Sequence, residues 1–403
     1  MKTTVEKTKK LLSFLLILSL ALTLPFLSSC GGGKDVPDSD PEETTGEEVA
    51  EEPIEHIVGF IYNGTVKNST HNLIMENARN QLERNLGVAT YFIEDVYVKN
   101  FIEAVDLFIE RGVTIIISGN RVFEHVVERA AKDNPDINFI SFGNSSTRLN
   151  LTNFLPLLYQ PANVCGLAAA YNSDSDTLGI VADNRMFNCA GVINAYIQGA
   201  KEVPSAHFAT YVNYASSGNE ADVKAAIDDL VSKGNDTIML YLSTDYGIKY
   251  CEQIGVKVIA FSGNLPELAP NNYITGFYFN VDSYITEQVR FIQNEYFMPM
   301  TTIGEMVTGH VQMIKLNSTV TEGTSELTDL LYNGINNNDK VFEGKITDNF
   351  GTVMVQSGVT LTFFDVLEID WLDYSVGSNF KEFSGPVPEF DLPPLVIKGT
   401  KKD

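Results

Sequence analysis

The chain has 403 residues, of which 44% are hydrophobic and 20% are charged, and its formal net charge at pH 7 is −24. This length is enough for two domains of ordinary size, each with its own buried core. The acidic balance argues against binding to nucleic acid or to anionic lipid surfaces, because both would repel the protein.

The first residues have the order of a secretory signal peptide, which is predicted for residues 1–29. A basic lead precedes an apolar run from Leu11 to Leu27. The run is long enough to be considered a membrane helix. However, Leu-Ser-Ser-Cys at positions 27–30 resembles a bacterial lipobox. That resemblance implies a lipid on Cys30, as the first residue of the mature protein; the alternative is an ordinary signal peptide followed by an incidental cysteine.

Residues 30–53 are predicted to form a flexible stalk. Between Asp35 and Glu52 there are nine acidic residues and no basic one, with Pro, Ser, Thr and Gly among them. Such a segment buries too little apolar surface to fold, and its like charges extend it. The stalk would hold a folded domain away from a membrane surface.

Along the remaining chain, apolar strand runs alternate twice with amphipathic helices. The first series runs from IVGFIY (57–62) to INFISFG (137–143), and the second from DTLGIVA (176–182) to VKVIAFSG (256–263). This alternation predicts βαβ units and parallel sheets, so we expect an α/β protein with two doubly wound lobes. Between the two series, residues 159–172 are predicted to form a small-residue helix suited to close packing near a crossover.

Three cysteines follow position 30, namely Cys165, Cys189 and Cys251, and the five histidines are scattered. The odd number and wide spacing fit neither a disulfide framework nor a metal cluster. Buried free thiols are expected, with one disulfide as the alternative, and no metal or cofactor is predicted. The sequence also lacks the GxSxG, HExxH, P-loop and post-strand GxGxxG motifs, so we do not expect an enzyme.

In doubly wound folds, ligands bind beyond the carboxyl ends of the parallel strands. The predicted loops at those ends are rich in Asn, Ser, Thr and aromatic residues. They span 62–72, 118–123, 142–146, 183–188, 243–246 and 262–264. This mixture suits a polar small molecule that contains a ring, although the same residue types also form loops and helix caps.

Four segments carry a family resemblance. They are VGFIYNGTVKNSTHNLIMENARNQLE (58–83), DTLGIVADNRMFNCAGVINAYIQGAK (176–201), KVFEGKITDNFG (340–351) and LEIDWLDYSV (367–376). Together they resemble the basic membrane protein family of substrate-binding lipoproteins, whose members include purine nucleoside receptors of ABC importers. The resemblance extends from about Ile54 to Val376. It implies a type I periplasmic-binding-protein fold, in which two lobes joined by hinge strands close on a ligand.

We expect the first lobe to comprise residues 54–172 plus about 273–300. The second lobe is expected at 173–272 plus about 301–376. Residues 377–403 would form a C-terminal tail, either as an extra strand or as a loose end.

The resemblance implies ligand contacts at Thr244, Asp245, Phe279 and Asn280, which match family positions. The chain departs from the family at three other places. Asn68 stands where the family often has Asp, His71 where it has Trp or Phe, and Asn188 where it usually has Glu. These replacements weaken the expectation of an ordinary purine nucleoside, because an amide binds sugar hydroxyls without charge assistance. The predicted ligand-binding residues are Tyr62, Asn63, Asn68, Ser69, His71, Asn72, Ser118, Phe123, Gly143, Asp183, Phe187, Asn188, Thr244, Asp245, Ser262, Phe279 and Asn280.

The expected function is that of a lipid-anchored, extracytoplasmic solute-binding protein of a bacterial ABC importer. It would bind a nucleoside-like or other polar cyclic molecule between its lobes and present it to the permease. Two alternatives remain open at this stage. One is a sensory receptor that signals through a membrane partner, and the other is a surface interaction protein whose cleft has lost its ligand.

Overall fold

The computed structural model describes residues 56–143, 147–175, 177–203, 209–215, 219–318, 322–338, 340–378 and 392–400. The predicted signal peptide, the lipidation site at Cys30 and the stalk lie outside these residues. Among the helices within the described ranges, none is long and apolar enough to cross a bilayer.

The described chain alternates strands and helices. The strands are β1 (Ile57–Ile61), β2 (Ala89–Ile93), β3 (Ile115–Ser118), β4 (Asn138–Phe142), β5 (Leu151–Pro156), β6 (Thr177–Ala182), β7 (Ala209–Tyr214), β8 (Thr237–Tyr241), β9 (Lys257–Phe261), β10 (Tyr273–Phe279), β11 (Thr301–Gly304), β12 (Val311–Met313), β13 (Ile346–Thr347), β14 (Val353–Val355), β15 (Val376–Ser378) and β16 (Ile397–Thr400). The helices are α1 (Thr70–Leu86), α2 (Phe101–Glu110), α3 (Glu124–Asp133), α4 (Tyr159–Asn172), α5 (Cys189–Lys201), α6 (Glu220–Ser232), α7 (Tyr246–Ile254), α8 (Leu265–Leu268), α9 (Asp282–Gln293), α10 (Glu322–Asn338) and α11 (Phe363–Leu367).

Two seven-stranded sheets form the two lobes. Their strand orders are β11-β5-β4-β3-β1-β2-β16 and β12-β10-β9-β8-β6-β7-β15. Within each sheet, the first five strands of the lobe follow the doubly wound order 2-1-3-4-5. Pairing is parallel except at β16 and β12, which are antiparallel edge strands. The predicted α/β architecture of two doubly wound lobes is confirmed.

Local sequence explains where these elements begin and end. Every residue of β1 and of β8 is buried, as expected for apolar runs in strands covered on both faces. Helix α1 begins after Ser69, whose Oγ accepts a hydrogen bond from the backbone N of Asn72 at 3.1 Å. It ends at Gly87, which has a left-handed φ of 68° and donates its N–H to the carbonyl of Glu83.

The chain passes between the lobes after Pro156, between Phe279 and Asp282, between Gly304 and Val311, and once more between β15 of the second sheet and β16 of the first. The first passage leads into α4, which packs on α5 and β10 of the second lobe, and the second leads into α9, which packs on α1 of the first. These places differ from the expected boundaries at 172, 273 and 300. The sequence predicted a helix at 159–172, but a local pattern does not specify which sheet or lobe an element joins.

Hydrogen bonds connect the first and third passages. The backbone N of Leu157 donates to the carbonyl of Gly304 at 2.8 Å, and Met306 N donates to Gln160 Oε1 at 3.0 Å. The second passage joins the third through Asn280, whose backbone N donates to the carbonyl of His310 at 2.7 Å. The first three passages therefore form one hydrogen-bonded hinge.

Helices α4 and α5 approach so closely that only glycine fits at their contact. A Cβ on Gly166 would lie 1.8 Å from the carbonyl oxygen of Tyr196, and one on Gly199 would lie 1.7 Å from the carbonyl oxygen of Asn163. The Asn163 Nδ2 donates to the carbonyl of Ala195 at 2.9 Å in the same contact. The predicted small-residue helix at 159–172 is therefore the buried α4, and the expectation of close packing is confirmed.

The closing segments of the chain dock on α5. Asp373 is fully buried and accepts hydrogen bonds from Lys201 Nζ at 2.6 Å and from Gln198 Nε2 at 2.9 Å. The Asn194 Nδ2 donates to the carbonyl of Trp371 at 2.8 Å. A buried carboxylate bound in this way anchors the segment that leads into β15.

The three cysteines of the described chain are free and buried. Burial raises the pKa of Cys251 to about 12 and raises the pKa values of Cys165 and Cys189 as well. The expectation of buried free thiols is thus confirmed.

We expect Gly199→Ala to lower the free energy of unfolding by about 1–3 kcal/mol or more, because the added methyl group collides with the backbone of α4. Gly334→Ala is the matched control, since Gly334 is exposed in α10 and a Cβ added there would meet no neighbouring atom within 4 Å. There, replacing glycine by alanine should raise the free energy of unfolding by about 0.5–1 kcal/mol. Chemical denaturation measures both; equal changes in the two variants would contradict the close contact.

Candidate ligand-binding site

A cleft of about 750 Å³ lies between the lobes at the carboxyl ends of their strands. The first lobe contributes the loops that follow β1, β3 and β4, and the second contributes those that follow β6 and β8. The volume is within the range of small-molecule sites, and the position is the one expected for a doubly wound fold.

Several of the predicted residues line this cleft. They are Asn63, Asn68, Ser69, His71, Gly143, Asp183, Phe187, Thr244 and Phe279. The set includes residues from both lobes, so the strand-end loops that the sequence singled out do face one another.

His71 lies half-buried in the cleft wall. Its Nε2 contacts the carbonyl oxygen of Gly119, and its ring meets that of Phe279 edge-on with 5.0 Å between the centroids. Burial lowers the pKa of His71, which favours the neutral ring. Because a carbonyl oxygen only accepts, Nε2 carries the proton, and Nδ1 is left as an acceptor.

The loop from Asn63 to Ser69 is held in place from behind. The Asn72 Nδ2 donates to the carbonyl of Asn63 at 2.9 Å, and the backbone N of Val66 donates to Glu94 Oε1 at 2.6 Å. The second oxygen of Glu94 accepts from Lys398 Nζ of β16 at 2.5 Å. Asn72 therefore supports the cleft loop instead of lining it, and the C-terminal strand supports the same loop.

Other predicted first-lobe residues also lie in the core. Tyr62 is almost fully buried and donates its hydroxyl to Glu76 Oε2 at 2.9 Å. Phe123 packs on Phe101 with 4.8 Å between ring centroids, and Ser118 is fully buried at the end of β3. Successive residues of a strand point to opposite faces, so only some of the residues at a strand end face the cleft.

Asn188 and Asp245 have local partners outside the cleft lining. Asn188 precedes α5 with a left-handed φ of 49°, which asparagine tolerates, and its Nδ2 donates to the carbonyl of Val366 at 2.7 Å. Asp245 precedes α7 and pairs with Lys249, with 2.5 Å between Oδ2 and Nζ. Both side chains hold the second lobe together next to the cleft.

Ser262 and Asn280 are likewise outside the cleft lining. The Ser262 Oγ donates to Asn264 Oδ1 at 2.8 Å. Asn280 lies in the hinge, where its Oδ1 accepts from the backbone N of Asp282 at 3.2 Å.

Two arginines that were not among the predicted residues also line the cleft. The Arg185 guanidinium binds both carboxylate oxygens of Asp183, with Nε to Oδ1 at 2.9 Å and Nη2 to Oδ2 at 2.6 Å. Arg121 approaches Glu124 with 3.4 Å between Nε and Oε2, and its Cζ lies 5.4 Å from the ring centroid of Phe187. A sequence signal was present, because each arginine follows an asparagine and is the third residue after a strand, β3 or β6.

Aromatic residues outside the predicted set of ligand-binding residues also face the cleft. Among them are Phe142, Tyr241 and Phe261, each the last residue of its strand. The Tyr241 hydroxyl donates to the carbonyl of Phe187 at 2.6 Å and so fixes the loop after β6. The lining thus combines rings that can stack on a flat ligand with polar groups that can orient it.

The lobes contact each other directly beside the cleft. The backbone N of Thr70 and its Oγ1 both donate to the carbonyl of Ser243, at 2.8 and 3.1 Å. Gly143 of the first lobe, with a left-handed φ of 72°, lies where an added Cβ would be 3.2 Å from the ring of Phe187 and 2.8 Å from Arg121. These contacts join the two walls of the cleft.

Solved structures share this fold. A solute-binding protein of an ABC transporter system from Aeropyrum pernix is 13% identical, covering 73% of this chain and 93% of that one at a TM-score of 0.61. A solute-binding protein from Conexibacter woesei is also 13% identical; the match covers 70% of this chain and 97% of that one at a TM-score of 0.58. A transcriptional activator of the comK gene from Bacillus halodurans is 17% identical; the match covers 70% of this chain and 98% of that one at a TM-score of 0.60. The type I periplasmic-binding-protein fold is confirmed.

Sequence comparison identifies the family. A Haloferax volcanii protein whose name assigns it to glucose binding for an ABC transporter is 22% identical over 187 residues, or 46% of this chain. That match spans 47% of the relative, so about half its length. The family model for Bmp, the PnrA-like ABC transporter substrate-binding proteins, matches residues 56–343. With most of its folded part matched, the chain belongs to this family of extracytoplasmic solute-binding proteins.

Proposed function

We propose that this protein captures a polar, ring-containing small molecule in the cleft between its lobes and delivers it to an ABC permease. The observation that carries the proposal is the cleft itself, about 750 Å³ in volume, with walls from both lobes that combine aromatic rings with polar side chains. A ligand of nucleoside or sugar size fits such a volume.

Family membership and the named relative support two ligand classes, nucleosides and sugars. Phe187 and Phe279 provide rings for stacking, and His71 and Thr244 provide polar groups. Asn68 and His71 stand where nucleoside-binding members often have a carboxylate and a large ring, so a ligand other than an ordinary purine nucleoside is included in the proposal.

Ligand-driven closure is the proposed mechanism. A ligand that contacts both lobes binds the closed arrangement better and shifts the population toward it. Thr70 with Ser243, and Arg121 with Phe187, already join the lobes on the cleft rim. Closure would therefore extend contacts that the protein makes by itself.

The proposal also places the protein on the extracytoplasmic face of the membrane, held by lipid on Cys30. The lipobox-like Leu-Ser-Ser-Cys and the acidic residues after it support this anchor and the stalk. A tether of this kind keeps the binding domain close to the permease and raises its effective concentration there.

Ligand binding should raise the melting temperature of the purified protein in a panel of nucleosides, free bases and sugars. Saturation at about one hundred times the dissociation constant stabilises the folded state by about 2.7 kcal/mol. Phe187→Ala should abolish the shift, whereas Phe364→Ala, whose exposed ring lies outside the cleft, should retain it. A flat response to every compound would contradict the proposal.

Replacing Thr70 by valine should open the unliganded protein, because the change removes an interlobe hydrogen bond while keeping the side-chain shape. The expected result is a larger radius of gyration in solution X-ray scattering. Thr286→Val is the control, since the Thr286 hydroxyl is buried without a partner among the described residues. An unchanged radius for Thr70→Val would argue against a lobe contact at this position.

Cys30→Ser should abolish incorporation of a labelled fatty acid in a bacterial host and move the protein out of the membrane fraction. Serine cannot form the thioether that carries the lipid. Ser29→Ala, which keeps a small residue before the cysteine, should remain lipidated. Labelling of the Cys30→Ser protein would disprove the anchor.

A further inference from the structure

Oxygen acceptors of three residues in the cleft lining already accept hydrogen bonds from the protein itself. Both carboxylate oxygens of Asp183 accept from Arg185. Asn120 Oδ1 accepts from the backbone N of Val122 at 3.0 Å, and Ser69 Oγ accepts from that of Asn72. A ligand rich in hydroxyl donors would have to compete with these bonds.

The hydrogen-bond donors of the two cleft arginines, by contrast, are only partly used by the protein. A guanidinium carries five N–H groups, and the bonds to Asp183 use only Nε and one position on Nη2 of Arg185. The ion pair of Arg121 with Glu124 involves Nε alone. The two arginines therefore keep N–H groups that these bonds do not use, which matches a ligand group rich in oxygen acceptors.

The two charged side chains of the Asp183–Arg185 pair differ in their exposure to solvent. The Asp183 side chain is 6% exposed, whereas that of Arg185 is 65% exposed. The carboxylate is thus buried beneath the guanidinium, which it orients toward the cleft. An incoming ligand meets the positive partner first, in a protein whose net charge is −24.

Arg121 and Arg185 come from opposite lobes, and both line the cleft. Arg121 of the first lobe lies over Phe187, and Arg185 precedes Phe187 by two residues in the second lobe. The planar fork of arginine matches carboxylate and phosphate oxygens in a two-point geometry. An acidic group beside Phe187 would therefore bridge the lobes and favour their closure.

We propose that the ligand of this cleft carries an acidic group, a carboxylate or a phosphate, which Arg121 and Arg185 bind beside Phe187. Its ring would stack on the aromatic residues of the lining. This inference rests on the proposed function and narrows its ligand class, because a neutral nucleoside or sugar offers no anionic oxygen to the N–H groups that Asp183 and Glu124 leave unused.

The test compares neutral and acidic members of matched pairs by titration calorimetry on the full protein. Adenosine is paired with adenosine 5′-monophosphate, and glucose is paired with both glucuronate and glucose 6-phosphate. At least one acidic compound should bind about ten times more tightly than its neutral partner, and raising the salt concentration from about 50 to 200 mM should reduce that ratio. The glucuronate and phosphate arms distinguish the two kinds of acidic group.

Arg185→Gln and Arg121→Gln should each weaken binding of the preferred acidic compound at least tenfold and change binding of its neutral partner less than twofold. Arg185→Lys keeps the charge but loses the fork, so we expect an intermediate loss. Arg129→Gln removes a positive charge from an exposed ion pair on α3 and should leave binding unchanged. Melting temperatures without ligand establish that each variant is folded.

Tighter binding of the neutral partner, or equal loss for both partners in the arginine variants, would overturn the inference and leave the proposed function intact. If no nucleoside, sugar or acidic derivative binds, the proposed function itself fails, and this inference fails with it.

Discussion

The contact between helices α4 and α5 is the constraint on which the ligand cleft depends. Gly166 and Gly199 allow each helix backbone to meet a carbonyl of the other at a distance that any Cβ would prevent. Helix α4 follows the first passage between the lobes, and α5 begins directly after the loop that carries Asp183, Arg185 and Phe187. The position of that loop relative to the hinge is therefore set by helix packing beneath it.

Support for the opposite wall comes from residues distant in sequence. Glu94 holds the backbone of Val66 in the first cleft loop, and Lys398 of the last strand holds Glu94. In both walls, a carboxylate behind the surface holds part of the cleft lining. In the second lobe the buried carboxylate of Asp183 orients the more exposed guanidinium of Arg185. The Asp183–Arg185 pair thus presents its cation to the cleft and hides its anion, although the molecule as a whole is acidic.

Five of the six strand-end loops named from the sequence contribute residues to the cleft, whereas only some of the predicted side chains do. His71, Phe187 and Phe279 line the cleft, whereas Tyr62 and Asn188 are bound inside the lobes. Strand-end position identifies a loop, but the face to which a side chain points depends on the local backbone and on its neighbours. Arginine was passed over because the loops were judged by their amides and rings.

The sequence by itself determined the two doubly wound lobes, the buried small-residue helix and the family, because these follow from hydrophobic periodicity and local motifs. Only the tertiary structure decided which sheet each element joins. Strand β10 follows the second series but leads into a helix of the first lobe, and β16 completes the first sheet from the end of the chain. It also decided that Arg121 of the first lobe lies over Phe187 of the second and lines the same cleft as Arg185, since contacts between residues so far apart in sequence depend on how the lobes pack.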